Sequence, residues 1–370
     1  MDRINMLEVY YHDRLVGTMA LYKNSLAAFE YDKDWLIDGF SISPFSLPLR
    51  KGVFVPEIDP FNGIFGVFAD SLPDGWGRLL VDRLMLKNGL NPNLLGNMDR
   101  LAIVGKSGMG ALTYRPVVDL ETTFDDMTLD EIAEECEKLL QTEATASLDY
   151  LFNKGGSSGG ARPKILTQID GEDWIVKFPS SDDSKDIGLQ EYNYALCAKD
   201  CGIEMPEVRL FQSKKVPGYF GVKRFDRAGS GENRKIHMVS ASGLLETSHR
   251  MPNLDYNTLM KLTLQLTKSM EECEKLYRLM CFNVFAHNRD DHSKNFSYLY
   301  DEREARWVLS PAYDLTYSFS IGGEHATTIN GNGSNPGIDD VLAVAEKIGL
   351  NLPKAKRIAI SIRDCVAESL

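Results

Sequence analysis

The sequence is poor in the features that would mark a specialised scaffold. Its six cysteines, Cys136, Cys197, Cys201, Cys273, Cys281 and Cys365, include no C-x-x-C pair. Cys197 and Cys201 stand four apart in a helical pattern, with no histidine or second cysteine pair close by in sequence. A zinc site is therefore not expected, and scattered thiols without a framework suit a reducing cytoplasm. No run approaches the ~20 apolar residues of a membrane span. The opening string MDRINMLEVYYHDR is charged and lacks an apolar core, so it does not read as a signal peptide. Positive charge is in deficit, with 41 Lys and Arg against 53 Asp and Glu and a net charge of -12. Such a surface repels phosphate backbones, so the chain alone is expected to bind duplex nucleic acid poorly. These absences describe a soluble cytoplasmic protein with no membrane partner, and no internal repeat is visible.

What is present is an ordinary globular balance, 43% hydrophobic and 25% charged over 370 residues, long enough for two packed units. Residues 1 to about 50 read as β-hairpins, with apolar runs at Leu7–Tyr11, Val16–Tyr22 and Ala27–Tyr31. They are split by His12-Asp13-Arg14 and Lys23-Asn24-Ser25. The period turns helical from Gly77 to Lys87. A helix from about Met127 to Gln141 opens with Thr128 and Glu131 in capping-box spacing and is expected to end the first unit. The string NKGGSSGG at Asn153–Gly160 punctuates the chain. Two strands then meet at Asp170-Gly171, a helix crosses Leu189–Cys201 to Gly202, and Tyr219–Phe225 reads as a strand. Beyond about residue 255 the pattern is mostly helical.

The order of the polar motifs suits phosphoryl transfer, which needs amides and a lysine around phosphates, metal ligands, and a carboxylate to orient a hydroxyl. In NRDDHSKN, Asn288–Asn295, the residue five after Asp290 is Asn295, the spacing of a kinase catalytic loop. Asp314 follows nineteen residues later, after a strand at Ala305–Leu309 and a Pro-Ala-Tyr turn, placed like the second metal-binding aspartate. Leu315-Thr316 stands where Phe-Gly is usual. The oxygen ligands of Asn295 and Asp314 suit Mg2+. By itself the same string also suits a polar turn between helices. Upstream, Lys177 lies inside an apolar strand, where its amine calls for an anion, and Glu191 on the next helix is its candidate counter-ion. An edge-strand lysine reaching solvent is the plain alternative. One hairpin earlier, Gly155–Lys164 combines glycines that allow close main-chain approach with Arg162 and Lys164, although a flexible linker has the same composition. Val222–Arg227 is a candidate adenine hinge or a surface strand end. Gly105-Lys106-Ser107 only imitates a Walker A ending, because Arg100 occupies the required glycine position.

With these residues assembled, the chain resembles the HipA family of serine/threonine kinase toxins from type II toxin–antitoxin systems. Phe68–Gly75 and Gly105–Leu112 resemble recurring strings of that family's N-terminal part. Ser157–Lys164, Val222–Arg227, Asp290–Phe296 and Tyr313-Asp314 follow in family order. The resemblance implies an α+β fold with a two-lobed, protein-kinase-like body and an added β-rich N-terminal subdomain. That subdomain would span residues 1–145 and the kinase domain 146–370, with the glycine loop and small sheet at 150–235 and a helical lobe at 236–370. It makes Asp290 the catalytic aspartate and Asn295 and Asp314 the magnesium ligands. Gly159, Gly160, Ala161, Arg162, Pro163, Lys164, Lys177, Lys223, Arg224, Phe225, His292, Ser293, Lys294, Asn295, Tyr313 and Asp314 match positions lining the ATP site. Ser157 matches a serine that family members autophosphorylate to switch themselves off, with Ser158 as the alternative acceptor. The implied cofactors are ATP and Mg2+. The implied partners are a helix-turn-helix antitoxin, DNA only through that antitoxin, and a translation component such as an aminoacyl-tRNA synthetase as substrate. Arg162-Pro163 departs from the usual loop, since Pro163 has no amide hydrogen to offer a phosphate. A non-catalytic co-repressor subunit and a small-molecule kinase are the competing readings.

Overall fold

The structure is a computed structural model that describes residues 3–23, 25–118, 127–143, 145–228, 235–319 and 321–370. Asn24, part of one expected turn, and Met1 and Asp2 of the opening string lie outside the described residues. The chain divides into two compact units, the first comprising Met1–Gly188 and Arg209–Met238, the second Leu189–Val208 and Val239–Leu370. Both mix helix and sheet, the α+β class expected from the sequence.

The first unit opens with the expected hairpins, β1 (Met6–Tyr11), β2 (Arg14–Tyr22) and β3 (Leu26–Tyr31). Alternating side chains of β1 are buried, so one face of the hairpins supplies core. After α1 (Trp35–Asp38), β4 (Val53–Phe54) pairs with β3. The helices α2 (Gly66–Ala69), α3 (Gly75–Lys87) and α4 (Asn97–Val104) follow, and β5 (Leu112–Arg115) returns to pair with β1. The result is a five-stranded sheet in the order β4-β3-β2-β1-β5. The last pairing is non-local and has no counterpart in the sequence pattern.

Next come α5 (Leu129–Leu140) and α6 (Leu148–Gly155). Thr128 and Glu131 form the expected capping box on α5, each satisfying an amide that a helix start leaves open. In contrast, α6 carries helix through Asn153, Lys154 and Gly155, residues that the sequence reading assigns to punctuation. Leu148 and Leu151 are buried on α6, and that burial outweighs the low helix propensity of its glycine end. A second sheet has the order β6-β7-β9-β8, from β6 (Lys164–Ile169), β7 (Glu172–Lys177), β8 (Val208–Phe211) and β9 (Tyr219–Lys223). The β6–β7 turn at Asp170 (φ 55°) and Gly171 (φ 78°) has the positive φ pair that an Asp-Gly hairpin turn needs. Strand β9 ends at Lys223, two residues short of the expected Phe225, because Arg224 and Asp226 enter a buried ion-pair cluster.

Trp76, Leu80 and Leu84 of α3, Ile132, Cys136 and Leu139 of α5, Leu148 and Leu151 of α6, and Ile165, Val176 and Tyr219 of the sheet belong to one hydrophobic core. Residue 145, the boundary read from the sequence, falls between two helices that both feed this core.

The second unit holds α7 (Ile187–Asp200) from Leu189 onward, ended by Gly202 at φ 73°. It continues with β10 (Met238–Ser240), α8 (Ala241–Leu244), β11 (Leu254–Asp255), α9 (Tyr256–Thr267) and α10 (Met270–Phe285). After α10 come β12 (Ser297–Asp301), β13 (Arg306–Leu309), β14 (Thr327–Thr328), α11 (Ile338–Ile348) and α12 (Leu352–Ser369). The β10-β12-β13 sheet and the parallel β11–β14 pair interrupt the mostly helical stretch expected after residue 255. No helix of the described residues is long and apolar enough to cross a membrane.

Candidate functional site

In the second unit, NRDDHSKN forms the connection from α10 to β12. The helix end is pinned from α7, where Tyr194 Oη donates to the Ala286 carbonyl at 2.9 Å. The adjacent aspartates have opposite environments. Asp290 exposes 63% of its side chain, while Asp291 exposes none. The Asp291 carboxylate accepts from Tyr256 Oη at 3.0 Å and from the Thr327 amide at 3.1 Å, and lies 3.0 Å from His325 Nδ1. The network continues downward, since Asn283 Nδ2 donates to Tyr256 Oη at 2.9 Å and Asn288 Nδ2 to Asn283 Oδ1 at 2.9 Å. Asp291 is therefore a structural post, and Asp290 is the solvent-exposed carboxylate of the two.

Asn295 Nδ2 donates to the Asp290 carbonyl at 2.6 Å. That bond identifies the nitrogen end of the amide and leaves Oδ1 as the acceptor end suited to a hard cation. Tyr313 Oη donates to the Lys294 carbonyl at 2.6 Å and lies 2.6 Å from Ser297 Oγ. The Tyr313-Asp314 turn is thereby tied to the loop. Asp314 sits at φ 53°, a left-handed conformation that costs a non-glycine residue on the order of 1–3 kcal/mol and recurs at functional sites. Leu315 is buried beside it and fills the place where Phe is usual. His292 lies 3.9 Å from Asp290 Oδ1, too far for a hydrogen bond, and its ring is 5.3 Å from that of His249.

Among the described residues, five of the ten buried side-chain atoms without a hydrogen-bond partner lie here. Asn288 Oδ1, Arg289 Nε, His292 Nδ1, Ser293 Oγ and Thr316 Oγ1 are all of this kind. Unsatisfied buried polar atoms are rare because each costs about 1–3 kcal/mol. Five lie within the Asn288–Thr316 span, and the side-chain oxygens of Asn295 and Asp314 are hard donors of the kind that fit Mg2+.

In the first unit the glycine loop, residues 156–163, lies over the start of α3. The Gly160 carbonyl accepts the Trp76 amide at 2.9 Å, occupying one of the free N–H groups of that helix end. Asp74 Oδ1 accepts the Gly160 amide, and Trp76 Nε1 donates to the Lys164 carbonyl at 3.1 Å. Both candidate acceptor serines are buried. Ser157 Oγ donates to the Ser107 carbonyl at 2.9 Å and Ser158 Oγ to the Gly155 carbonyl at 2.6 Å. The Gly105–Gly110 turn, dismissed as a nucleotide loop, is thus the dock for Ser157. The contacts of Asp74, Trp76 and Ser107 escape sequence reasoning because each is made with a partner at least fifty positions away; the Phe68–Gly75 and Gly105–Leu112 strings draw attention to Asp74 and Ser107, and nothing does so for Trp76.

Lys164 and Lys177 occupy directly opposed positions on β6 and β7, so their side chains share one face, and both are buried. Like charges facing across a ladder are destabilising, and a buried ammonium needs anionic or hydrogen-bonding surroundings. Lys177 is thus a buried residue and not a solvent-reaching edge lysine. Other expected contacts are spent within the protein. Arg162 holds Asp183 through Nε at 3.0 Å and Nη2 at 3.1 Å. Burial would raise the Asp183 carboxyl, but the Ser180 amide and hydroxyl together with Arg162 hold it below the ordinary value. The Arg224 guanidinium binds Asp226 at 2.9 and 2.8 Å, and its amide donates to the Asp173 carbonyl at 2.8 Å. Lys223 pairs with Glu172 at 3.0 Å on the surface. Ala161 is exposed, Pro163 accepts the Phe178 amide at 2.9 Å, and Phe225 is half-buried in the turn after β9. Glu191 is buried on α7 in the second unit.

Known proteins place this arrangement. Residues 7–115 match the HipA N-terminal domain, and residues 156–370 match the HipA-like C-terminal domain. Two Sinorhizobium fredii proteins are related over most of their length. "Putative kinase Y4dM" is 26% identical, covering 89% of this chain and 81% of the relative. "Putative kinase Y4mE" is 24% identical, covering 99% and 91%. Among solved structures, HipA from the Shewanella oneidensis MR-1 toxin–antitoxin complex of HipA, HipB and operator DNA superposes with a TM-score of 0.69. That likeness covers 98% of this chain and 88% of that one at 18% identity, and it shows a shared fold. Two domain profiles matched in order, the second alone spanning more than half the residues, establish that this chain belongs to the HipA family.

Proposed function

We propose that this chain is a Mg-ATP-dependent serine/threonine protein kinase and the toxin of a toxin–antitoxin pair. The observation that carries the reading is the Asp290–Asn295 hydrogen bond, in a loop where Asp290 is exposed and four buried polar atoms, on Asn288, Arg289, His292 and Ser293, have no hydrogen-bond partner. Asp290 would accept the proton of an acceptor hydroxyl, orienting it for in-line attack on the terminal phosphate. Asn295 and Asp314 would hold Mg2+, which, when bound, neutralises charge developing on the transferring phosphoryl group. His292, Ser293, Lys294 and Tyr313 would line the nucleotide from the loop side. Gly159 to Lys164 with Lys177 would hold the phosphates, and Lys223 to Phe225 the adenine through main-chain groups. Glu191 would be the counter-ion of Lys177. The functional division would run 1–145 and 146–370, as the sequence suggests.

The names of the two Sinorhizobium fredii relatives support kinase activity. The Shewanella oneidensis structure, with HipB and operator DNA, supports a helix-turn-helix antitoxin through which this acidic chain would reach DNA. A translation component such as an aminoacyl-tRNA synthetase would be the substrate. Phosphorylation of Ser157, or of Ser158, would require the glycine loop to leave its dock, which couples that modification to inactivation.

The test is intact-mass measurement after incubation with Mg-ATP. Wild type is expected to gain one phosphate mapping to Ser157 or Ser158, and Asp290→Asn to slow the gain by about 10²–10⁴-fold. Wild type that never gains phosphate, on itself or on a translation extract, would favour the non-catalytic co-repressor. An Asp290→Asn variant that labels as fast as wild type would remove Asp290 from its role.

A further inference from the structure

Within the second unit, Cys197 on α7 and Cys201, which closes that helix with its amide on the Cys197 carbonyl at 2.9 Å, meet Cys365 on α12, and the three sulfur atoms all lie within 4.8 Å of one another. Spacing alone makes Cys197 and Cys201 an i,i+4 pair on one helix face. Ser369 stands four residues after Cys365 on α12, with its side chain near Cys197. The sequence reading discounts zinc because the pair lacks further ligands nearby. Chain folding supplies the third ligand from 164 residues away.

We propose that this cluster is a binding site for one Zn2+ ion, with three cysteine thiolates as ligands and the Ser369 hydroxyl or a water at the fourth position. A zinc–sulfur bond of about 2.3 Å sets tetrahedral sulfurs about 3.8 Å apart, so thiols within 4.8 Å close on the ion by small side-chain adjustments. A disulfide, with sulfurs about 2.05 Å apart, needs a larger approach and leaves one thiol of the three unused. Soft sulfur donors select Zn2+ over Mg2+, so the site does not compete for the cation proposed at Asn295 and Asp314. Cys197 and Cys201 are buried. Thiolate ligation releases thiol protons to solvent, so affinity rises with pH. Cys365 is only half-buried and gives the ion a way in.

The location has a structural consequence. Tyr194, just before the pair, holds the Ala286 carbonyl at the catalytic loop, and the Glu204 carbonyl, just after it, accepts the Ala312 amide at 2.8 Å. An ion on Cys197 and Cys201 would clamp the stretch between these two anchors, the end of α7 and the turn after it, to the end of α12.

The experiment titrates reduced, full-length protein with Co2+ as the spectroscopic probe for Zn2+. One equivalent is expected to raise a thiolate-to-cobalt charge-transfer band that Zn2+ bleaches. Cys365→Ser and Cys201→Ser should each weaken binding at least about tenfold, while Cys136→Ser, in the first unit, leaves the band unchanged. In the wild-type protein, Zn2+ should also slow alkylation of Cys365 as mapped by mass. Absence of the band, its survival in Cys365→Ser, or alkylation of Cys365 indifferent to Zn2+ would each overturn the site. These readouts do not depend on phosphoryl transfer, so failure of the kinase reading leaves them interpretable.

Discussion

At the scale of the residue, two neighbouring aspartates show how little identity says without surroundings. Asp290 and Asp291 are indistinguishable in composition, yet one carboxylate is in solvent and the other receives Tyr256, Thr327 and His325. Their removal should therefore be felt in different measurements. Asp291→Asn turns an amide donor toward buried donors and is expected to cost about 2–4 kcal/mol of stability, seen as a lower denaturation midpoint. Asp290→Asn should leave that midpoint within about 0.5 kcal/mol. Spacing to Asn295 picks out Asp290 from the sequence, because a catalytic loop is local. The partners of Asp291 lie 34 to 36 positions away and leave no local trace.

At the scale of the element, the glycine loop is held by the start of α3. A Cβ on Gly77 would fall 2.2 Å from the Ser158 carbonyl oxygen and 3.1 Å from that of Gly156, both backbone atoms that cannot swing aside. In an isolated helix, Gly→Ala stabilises by roughly 0.5–1 kcal/mol. Here Gly77→Ala is expected to act in the opposite direction and loosen the loop. Amide exchange over residues 156–163 should speed up at least tenfold while α5 stays protected. Unchanged exchange would show that the loop tolerates the methyl group and that its dock is weaker than the contacts suggest. The loop's glycines were legible as glycines that approach something closely. That the something includes a helix end and the Gly105–Gly110 turn was not, because both lie fifty or more residues upstream.

At the scale of the whole molecule, pH reaches stability through a buried histidine. His237 lies among Tyr11 and Phe40, 2.8 Å from the Ile42 carbonyl, and burial lowers its pKa from 6.5 to about 4. The unfolded chain takes up this proton below about 6.5, the folded one only near 4. The neutral histidine's contribution is therefore complete above pH 6.5 and is lost as pH falls toward 4, on the order of 3 kcal/mol in all. Denaturation followed by tryptophan emission reports mainly on the first unit, which holds Trp35, Trp76 and Trp174. His237→Phe should flatten the pH dependence between 6.5 and 4. An unaltered slope would assign it to other groups.

By itself the sequence determined what rests on near neighbours. The hairpins, the Asp170-Gly171 turn, the Thr128–Glu131 cap, the burial-prone lysine in β7 and the spacing from Asp290 to Asn295 all follow from period, propensity and short-range hydrogen bonding. Only the tertiary structure decided what depends on chain closure over long intervals. It brought β5 beside β1, carried α6 through a glycine-rich end, and committed Arg162 and Arg224 to Asp183 and Asp226. It also separated Asp291 from Asp290 and drew Cys365 to Cys197 and Cys201. Buried polar groups must find partners wherever the fold puts them, and distance along the chain has no part in that choice.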